Sequence, residues 1–575
     1  MCEAAGDGGG CGADMGPARR RRGAAQSPPR TCMKCREGSA ALIIRVGDPF
    51  CRDCFREYFV HKFRAMLGKS RIIFPGEKVL LAVSGGPASS AMLRQVQEGL
   101  SRETAKKLRF IPSVIYVDEG AVRGQSLAQR EQSLACMETL LQATGFPYYL
   151  VHLEQALELP ASILQPGPVT PSEPGVSYKE AVEGFIQQER QKGNGDKDSG
   201  TSLPGPVSGE SPEGPPAAPR LPPAALTQEL LKLFEAVQTL TAKEELLQML
   251  RIHLILQTAR TKGYTKVMTG ETCTRVAVKL LTNLALGRGA FLAVDTGFKD
   301  NRHGDVMVVR PLREYMAKEI AFYNHFFNVP TVIAPPLPTK RRDKPSIRHV
   351  VENFLMELQE DFPSTISTVY RTGEKLSADR TKPSCESERC LLCLCALDLD
   401  GEEELALEPT LIIDDAELEK NGCCHDPPAA GAERKSAYIP LLCYGCRLTF
   451  KELGPVTTLP PYVRAEAQRR IHSVYPLQCR DAAAESGGST GGQGAWQELK
   501  AEGQGEPPAP FGVGKGAGTP RAMGPWSHPG PPPPPQLSIT LVGLSFVLLD
   551  ICINKPFELI IQKINQQNQH HGKCL

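Results

Sequence analysis

Two pairs of cysteines near the start of the chain constrain its fold more than any other feature. Cys32 and Cys35 form one Cys-x-x-Cys pair, Cys51 and Cys54 form a second, and fifteen residues separate the pairs. This spacing lets two thiolate turns converge tetrahedrally on one zinc ion. Four sulfur ligands leave no open position for water, so the pattern predicts a structural zinc ribbon over residues 31–63.

A second set of cysteines follows late in the chain. Cys390 and Cys393 form one pair, and Cys443 and Cys446 form another after a long excursion. The pattern predicts a second zinc ribbon within residues 385–446. Iron–sulfur ligation uses the same side chains, so spacing alone leaves the metal open. Four further cysteines permit other ligand sets or a redox role: Cys385, Cys395, Cys423 and Cys424.

Composition places this chain in a reducing compartment and divides it into several units. The 575 residues contain 19 cysteines, and the start lacks the apolar segment of a secretion signal. We therefore expect a cytoplasmic protein. The 53 glycines and 49 prolines indicate linkers, with residues 1–30 and 482–575 disordered. An atypical apolar tail around 537–553 is short for a membrane span and contains Asp550, so no membrane contact is expected.

Between the cysteine sets, apolar runs alternate with helical patterns. Strands are predicted at 78–83, 114–117, 148–153, 266–268 and 306–309, and helices at 89–100, 126–144, 228–240, 242–261, 272–286 and 316–327. A helix cap is predicted at Thr241. This rhythm is typical of an α/β fold with a doubly wound parallel sheet over residues 75–335. Residues 191–225 hold six Gly and eight Pro and predict a disordered insertion.

The turn after the first of these strands has the composition of a phosphate-binding loop. Backbone N–H groups between a strand and a helix can receive phosphate, and the helix dipole favours the negative charge. A plain strand-to-helix turn would look similar. The candidate nucleotide-binding residues are Ser84, Gly85, Gly86, Ser89 and Ser90.

Several short stretches resemble the N-type ATP pyrophosphatases. The run 81–90 resembles their PP-loop signature Ser-Gly-Gly-x-Asp-Ser. The runs 115–120, 268–271 and 309–312 look like that family's second strand, its Thr-Gly-His element and its Arg-Pro-Leu element. This resemblance implies an adenine nucleotide alpha hydrolase-like fold for the central domain.

The same stretches depart from an active enzyme of that family. Ala88 stands where the signature has Asp, and Pro87 precedes it. The segment 246–259 lies near the place where catalytic relatives carry a Cys-x-x-Cys, yet it offers Met249 and Leu250. Cys273 begins a predicted helix, and a buried or capping role is favoured over a reactive one. No catalytic residue is therefore predicted, and ATP binding by this chain stays open.

Together with the flanking cysteines, these stretches resemble the family of cytoplasmic tRNA 2-thiolation proteins, subunit 2, over about residues 32–464. The resemblance implies a non-catalytic subunit that works on the wobble uridine of tRNA for Lys, Glu and Gln. It also implies a heterodimer with a catalytic paralogue, subunit 1, and sulfur delivered from a thiocarboxylated ubiquitin-related modifier. The alternatives are an active ATP-dependent tRNA sulfurtransferase and a zinc-ribbon nucleic-acid-binding scaffold.

Basic residues beside the first ribbon and after the α/β domain are candidates for tRNA contacts. A formal net charge of +2 excludes a strong overall field, so local patches must supply any phosphate contact. A solvated basic face is the alternative interpretation. The candidates are Lys62, Arg64, Lys69, Arg71, Arg341, Arg342, Lys344 and Arg348.

Overall fold

The computed structural model describes residues 31–44, 47–102, 107–165, 177–194, 221–338, 344–376, 389–397 and 435–474. Both predicted disordered ends and the apolar tail lie outside these residues, as do Arg341, Arg342, Cys385, Cys423 and Cys424. Across the described ranges, no helix is both long enough and apolar enough to cross a membrane.

The chain begins with a small module built around the first cysteines. An antiparallel hairpin of β1 (Leu42–Ile44) and β2 (Asp48–Phe50) leads directly into α1 (Arg52–Ser70). This helix extends past residue 63, where the predicted ribbon ended. Its buried face carries Phe59, whose ring stacks on Tyr323 with the centroids 4.0 Å apart. The module is thereby joined to the α/β domain through aromatic packing.

Six strands form the central sheet, and the predicted strands are confirmed within a few residues. In chain order they are β3 (Lys78–Ala82), β4 (Ile111–Asp118), β5 (Tyr148–His152), β6 (Lys266–Thr269), β7 (Lys299–Asp300) and β8 (Met307–Val309). The spatial order is β5-β4-β3-β6-β8-β7. The predicted parallel sheet is confirmed for most of its strands, and the exception lies at one edge, where β7 pairs antiparallel with β8. Only six residues join these two strands, too few for a parallel crossover.

The strand order reverses between β3 and β6. The chain winds from β3 out through β4 to β5 and then returns to place β6 on the other side of β3. The turns that follow β3 and β6 are therefore neighbours at the carboxyl edge, where open α/β sheets usually place their ligand crevice. Gly270 ends β6, and a Cβ there would lie 2.9 Å from the backbone of Ser89. Only glycine allows this close approach.

Helices connect the strands, and the six predicted helices are confirmed as elements: α2 (Pro87–Leu100), α3 (Leu127–Gln142), α5 (Ala224–Ala236), α6 (Leu240–Thr261), α7 (Cys273–Ala285) and α9 (Ala317–Phe326). Two more, α4 (Tyr178–Asn194) and α8 (Leu292–Asp295), were not predicted. The predicted cap at Thr241 was wrong, because the Thr239 side chain accepts the Ala242 N–H. Helices α4 and α5 overlap the ends of the predicted insertion 191–225, and residues 195–220 lie outside the description.

Four further helices, which were also not predicted, complete the fold: α10 (Ile347–Asp361), α11 (Thr365–Lys375), α12 (Tyr444–Glu452) and α13 (Pro461–Val474). Helices α10 and α11 pack on α7, where Val351 and Ile366 join Val276 in a separate apolar cluster. Helices α12 and α13 join α5 and α6 in the largest core cluster. The second set of cysteines lies inside that core.

Candidate metal centres and nucleotide loop

The first cysteine centre is assembled from residues close in sequence. Its four thiols lie within 4.8 Å of one another. The Cys35 and Cys51 sulfurs are 3.9 Å apart, near the ~3.8 Å edge of a tetrahedron with Zn–S bonds of about 2.3 Å. Burial opposes ionisation of the Cys32 thiol, but hydrogen bonds from the backbone N–H groups of Cys35, Cys51 and Lys34 lower the pKa of this thiol to about 6. Cys32 is thus ready to act as a thiolate ligand.

The second centre joins two distant segments. Cys390, Cys393, Cys443 and Cys446 also lie within 4.8 Å of one another, and the sulfurs of Cys393 and Cys443 are 3.6 Å apart. The Leu391 N–H donates to the Leu441 carbonyl at 2.8 Å, which ties the two turns together. A cubane cluster places each thiolate on a separate iron and spreads the sulfurs further apart. The spacing therefore fits one tetrahedral ion.

Two arginines lie against the second centre. Gly445 leaves room for Arg288, since a Cβ at Gly445 would lie 2.4 Å from the Arg288 Cγ. Arg302 donates from Nη1 to the sulfur of Cys395 at 3.3 Å. Four thiolates on a divalent cation would carry a net negative charge. Both guanidinium groups near this charge are also paired with acids, Arg288 with Glu245 and Arg302 with Asp295 and Asp300. Cys395 therefore belongs to the surroundings of the centre.

Arg302 also begins a chain of buried ion pairs that the sequence patterns did not indicate. It pairs with Asp300 and Asp295, and Asp300 accepts a second bond from Arg310 at 3.1 Å. Arg310 then reaches Glu271 at 2.9 Å, just after β6. Burial opposes ionisation of Glu271, but Lys279 and Arg310 hold its pKa below the usual value. The chain of ion pairs links the second centre to the carboxyl edge of the sheet.

The candidate nucleotide loop lies between β3 and α2, as predicted, but its hydroxyls bond inside the loop. The Ser89 hydroxyl accepts from the Ser84 N–H at 3.2 Å and donates to the Gly86 carbonyl at 3.0 Å. Ser90 donates to the Gly85 carbonyl at 3.1 Å. Gly85 has a φ of +76°, which favours glycine. The loop is therefore well formed without a ligand.

Two further features reduce its capacity for phosphate. Pro87 occupies the first helical position and has no N–H to offer. Val332, from the segment after α9, donates its N–H to the Gly85 carbonyl at 2.8 Å and packs beside that glycine. The signature carboxylate is also absent because Ala88 replaces it. Pro87 and Ala88 thus remove a donor and a charged group from the place where a triphosphate would bind, and Val332 occupies space beside the loop.

The end of β4 carries two acidic residues with different surroundings. Asp118 is buried, receives two bonds from Arg130 and contacts His152 at 3.1 Å. Burial works against ionisation, yet these partners hold the pKa of Asp118 below its usual value. Glu119 pairs with both Arg123 and Arg251. Asp118 is thus a structural ion-pair centre. Because Arg130 also pairs with Glu154, the acids and bases of this cluster are equal in number: Asp118, Glu119 and Glu154 with Arg123, Arg130 and Arg251.

The predicted tRNA-binding cations lie in different settings. Lys62 is only 14% exposed and pairs with the buried Glu319 at 3.1 Å, so it holds α1 against α9. Lys69 and Arg71 are exposed at the end of α1, near the amino edge of the sheet. Arg64 is half-buried beside them, and burial lowers its pKa. Lys344 and Arg348 lie instead at the start of α10.

Cys273 is a core residue, and its thiol is buried. It begins α7 and is 2% exposed, within the apolar cluster shared by α7, α10 and α11. Burial raises the pKa of this thiol to about 12. The low pKa that a helix N-terminus can give to an exposed cysteine is therefore not realised here.

Comparison with known proteins adds the family. The model of "Cytoplasmic tRNA 2-thiolation protein 2" matches residues 346–448. The human protein of that name is 48% identical over 517 residues, which is 84% of this chain and 99% of the relative. The Xenopus tropicalis protein is 49% identical over 478 residues, covering 77% and 92% of the two chains.

Among solved structures, the U34-tRNA thiolase NcsA from Methanococcus maripaludis with its 4Fe–4S cluster aligns with a TM-score of 0.40 and 16% identity, covering 62% of this chain and 92% of that one. The sequence relatives are far closer and match nearly their whole length. Identity near one half over most of both chains establishes common descent, so this chain belongs to the cytoplasmic tRNA 2-thiolation protein 2 family.

Proposed function

We propose that this chain is the non-catalytic subunit of the cytoplasmic complex that thiolates the wobble uridine of tRNA for Lys, Glu and Gln. Family membership supports the pathway. The nucleotide loop supports the non-catalytic role and is the observation that carries it. Its serine hydroxyls are used internally, and Ala88 and Pro87 stand in the signature.

Thiolation of a carbonyl position needs an activated oxygen and a sulfur nucleophile. Activation by ATP requires a phosphate cradle with donors left free for the nucleotide. Sulfur transfer requires a reactive thiolate or cluster near that cradle. In the part of the chain that the structure describes, the thiol that follows the turn between β6 and α7, beside the nucleotide loop, is that of Cys273. It is buried, and its pKa is raised. Both requirements therefore fall to another chain.

That chain is the catalytic paralogue, subunit 1, in a heterodimer with this one. It would bind ATP and receive sulfur from the thiocarboxylated ubiquitin-related modifier, while this chain would contribute tRNA contacts and a complementary surface. The retained sheet order with an impaired loop supports this division, because a paralogous fold can keep its interfaces after losing its chemistry.

We further propose zinc in both cysteine centres, with the domain limits predicted above: the first ribbon at 31–63, the α/β domain at 75–335 and the second ribbon within 385–446. Sulfur separations of 3.9 and 3.6 Å support one tetrahedral ion in each centre. Metal analysis of the purified chain tests this assignment. Two zinc ions per chain are expected, and stoichiometric iron would contradict it.

The test of function is reconstitution of 2-thiolation on unmodified tRNA for Lys, with the product detected by retardation on a mercury-containing gel. Product should form only when this chain and the catalytic paralogue are both present. Ser89→Ala combined with Ser90→Ala in this chain should leave the product near its wild-type level, whereas a matched change in the partner's loop should abolish it. Product from this chain alone would show that it is an active sulfurtransferase.

A further inference from the structure

We propose that Arg275 and Arg348, with Arg251 behind them, form a binding site for an RNA phosphodiester at the carboxyl edge of the sheet. The inference rests on the proposed function, since tRNA is the RNA that this complex would meet. It identifies which of the chain's basic residues contact the nucleic acid, and it adds Arg275 and Arg251, which the sequence patterns did not single out.

Arg275 is held at the crevice between β3 and β6. Helix α7 begins three residues after β6 ends, and Arg275 is its third residue. The Thr272 hydroxyl accepts the Arg275 N–H at 3.3 Å, which fixes the first turn. The nearby carboxylate of Glu271 is engaged by Arg310 and Lys279. Arg275 is exposed and has no ion-pair partner among the described residues.

Arg348 approaches from the neighbouring helix. It is the second residue of α10, whose Val351 and Leu355 pack with Val276 of α7. Like Arg275, Arg348 forms no ion pair with any carboxylate that the structure describes. Two guanidinium groups therefore project from the first turns of adjacent helices. The first-turn N–H groups of both helices are largely capped, at Cys273 and Arg275 in α7 and at Ile347 and His349 in α10. The two side-chain charges and the helix dipoles are what favour an anion in this place.

The local charge is unbalanced at this point. The ion pairs below the crevice are matched in sign, three acids with three bases: Glu271, Asp295 and Asp300 with Lys279, Arg302 and Arg310. The ion pairs at the end of β4 are matched in the same way: Asp118, Glu119 and Glu154 with Arg123, Arg130 and Arg251. Among the residues described around the crevice, the positive charges outside both matched sets are those of Arg275 and Arg348. Although the Arg275 side chain reaches solvent, the protein around it displaces part of its water, and this desolvation and then repulsion from Arg348 lower the pKa of Arg275 to about 10. A bound phosphate would relieve this repulsion.

The ligand is better described as RNA than as a free nucleotide. The nucleotide loop beside the crevice is closed by its own hydrogen bonds and by Val332. Lys344 continues the positive charge beyond Arg348 along the surface, as a polyanion needs. By contrast, Lys69 and Arg71 lie at the amino edge, where the Gly76 N–H donates to the Arg109 carbonyl ahead of β4. Lys62 is paired with Glu319.

The experiment measures binding of a fluorescent tRNA transcript to the full-length chain, alone and with its catalytic partner, between about 50 and 200 mM salt. Arg275→Ala and Arg348→Ala should each weaken binding by roughly three- to ten-fold. The double variant should lower the slope of log affinity against log salt by about one to two, since each lost phosphate contact removes about one released counterion. Arg275→Lys should keep the slope and lose part of the affinity, because the charge remains without the bidentate fork.

Lys232→Ala, at an exposed lysine on α5, is the matched control and should bind like wild type. Unfolding temperature and zinc content should be unchanged in all variants. Wild-type affinity and slope in the double variant would overturn the site, even where thiolation still requires this chain. Displacement of the transcript by ATP only when Arg275 is intact would assign the site to a free nucleotide and would also overturn it. Failure of the wild-type chain to support thiolation would instead overturn the proposed function.

Discussion

Each of the two cysteine centres has four thiols, but the two sets lie in opposite surroundings. In the first, Cys35 is at the surface and the ligands span 23 residues of chain, from Cys32 to Cys54. In the second, Cys390 and Cys443 are at most 1% exposed, and the ligands span 57 residues. One centre closes a hairpin against a helix, whereas the other joins separate segments inside the largest apolar core.

This difference predicts different contributions to stability. A crosslink stabilises more when it closes a longer loop, because it removes more conformational entropy from the unfolded chain. Two buried arginines also lie beside the second centre, Arg288 and Arg302, and each is paired with an acid. Without the metal, the arginines would keep these partners, but the four thiols would stay in the core with no ion to bind. In the first centre, the exposed thiol of Cys35 would be hydrated by water if the metal were lost.

The largest effect should follow loss of the second centre. Cys390→Ser combined with Cys446→Ser removes two ligands from the core. Structural zinc contributes on the order of 10 kcal/mol in small domains, comparable with the whole stability of an ordinary domain. We expect loss of one zinc ion and loss of cooperative thermal unfolding, measured by metal analysis and circular dichroism.

Cys136→Ser on α3 is the control for that variant, because Cys136 is exposed and outside both centres. It should retain both metal ions and unfold at the wild-type temperature. A double variant of the second centre that still unfolds cooperatively near that temperature would remove the distinction between the centres.

Loss of the first centre should have a smaller and local effect. Cys35→Ser combined with Cys51→Ser should raise hydrogen exchange in the β1–β2 hairpin while α1 stays protected. The helix keeps its own core contacts, since Phe59 stacks on Tyr323 and Tyr315 donates from its hydroxyl to the Phe59 carbonyl at 2.6 Å. The unfolding temperature should fall by only a few degrees, as for about 1 kcal/mol.

Exchange measured by mass spectrometry, peptide by peptide, distinguishes these regions. Equal loss of protection in α1 and in the central sheet would mean that the first centre supports the whole fold. Protection lost only in the hairpin would confirm that it is a local module.

The comparison also indicates what the sequence could predict. Both ligand sets and the parallel strands follow from local patterns, such as Cys-x-x-Cys spacing and apolar runs bounded by glycine. The residues that surround each centre cannot be predicted from such local patterns. The packing of Gly445 over Arg288 and the bond from Arg302 to Cys395 join residues more than 90 positions apart. Strand β7 is two residues long, which is too short for any periodic signal.

The candidate site shows the same limit. The loop at Ser84 was located correctly from its strand, glycines and helix, but its closure depends on Val332, about 250 residues away. Among the basic residues, charge alone could not separate Lys62, which is paired with Glu319, from Arg348, which is not. Local composition predicts which chemistry is present, and tertiary packing decides which groups remain available for a ligand.

The last prediction has no effect at neutral pH and concerns His303, which lies next to Arg302 in the layer of ion pairs near the second centre. It is 4% exposed, and burial lowers the pKa of its imidazole to about 3, from an ordinary value of 6.5. Above pH 6.5 the histidine is neutral in both states and its contribution to stability is complete. Below that pH the unfolded chain takes up a proton that the folded chain resists, so stability falls as the pH drops towards 3.

The expected loss is about 1.4 kcal/mol per pH unit for this one group. Comparing the pH dependence of urea unfolding in wild type and in His303→Gln isolates it, because carboxylates and metal ligands titrate in both proteins. The variant should lose stability less steeply between pH 6.5 and about 4.5. His61→Gln, at an exposed histidine on the helix of the first centre, should follow wild type. Parallel curves for His303→Gln and wild type would mean that water reaches this histidine, and that the second centre is less well enclosed than its burial indicates.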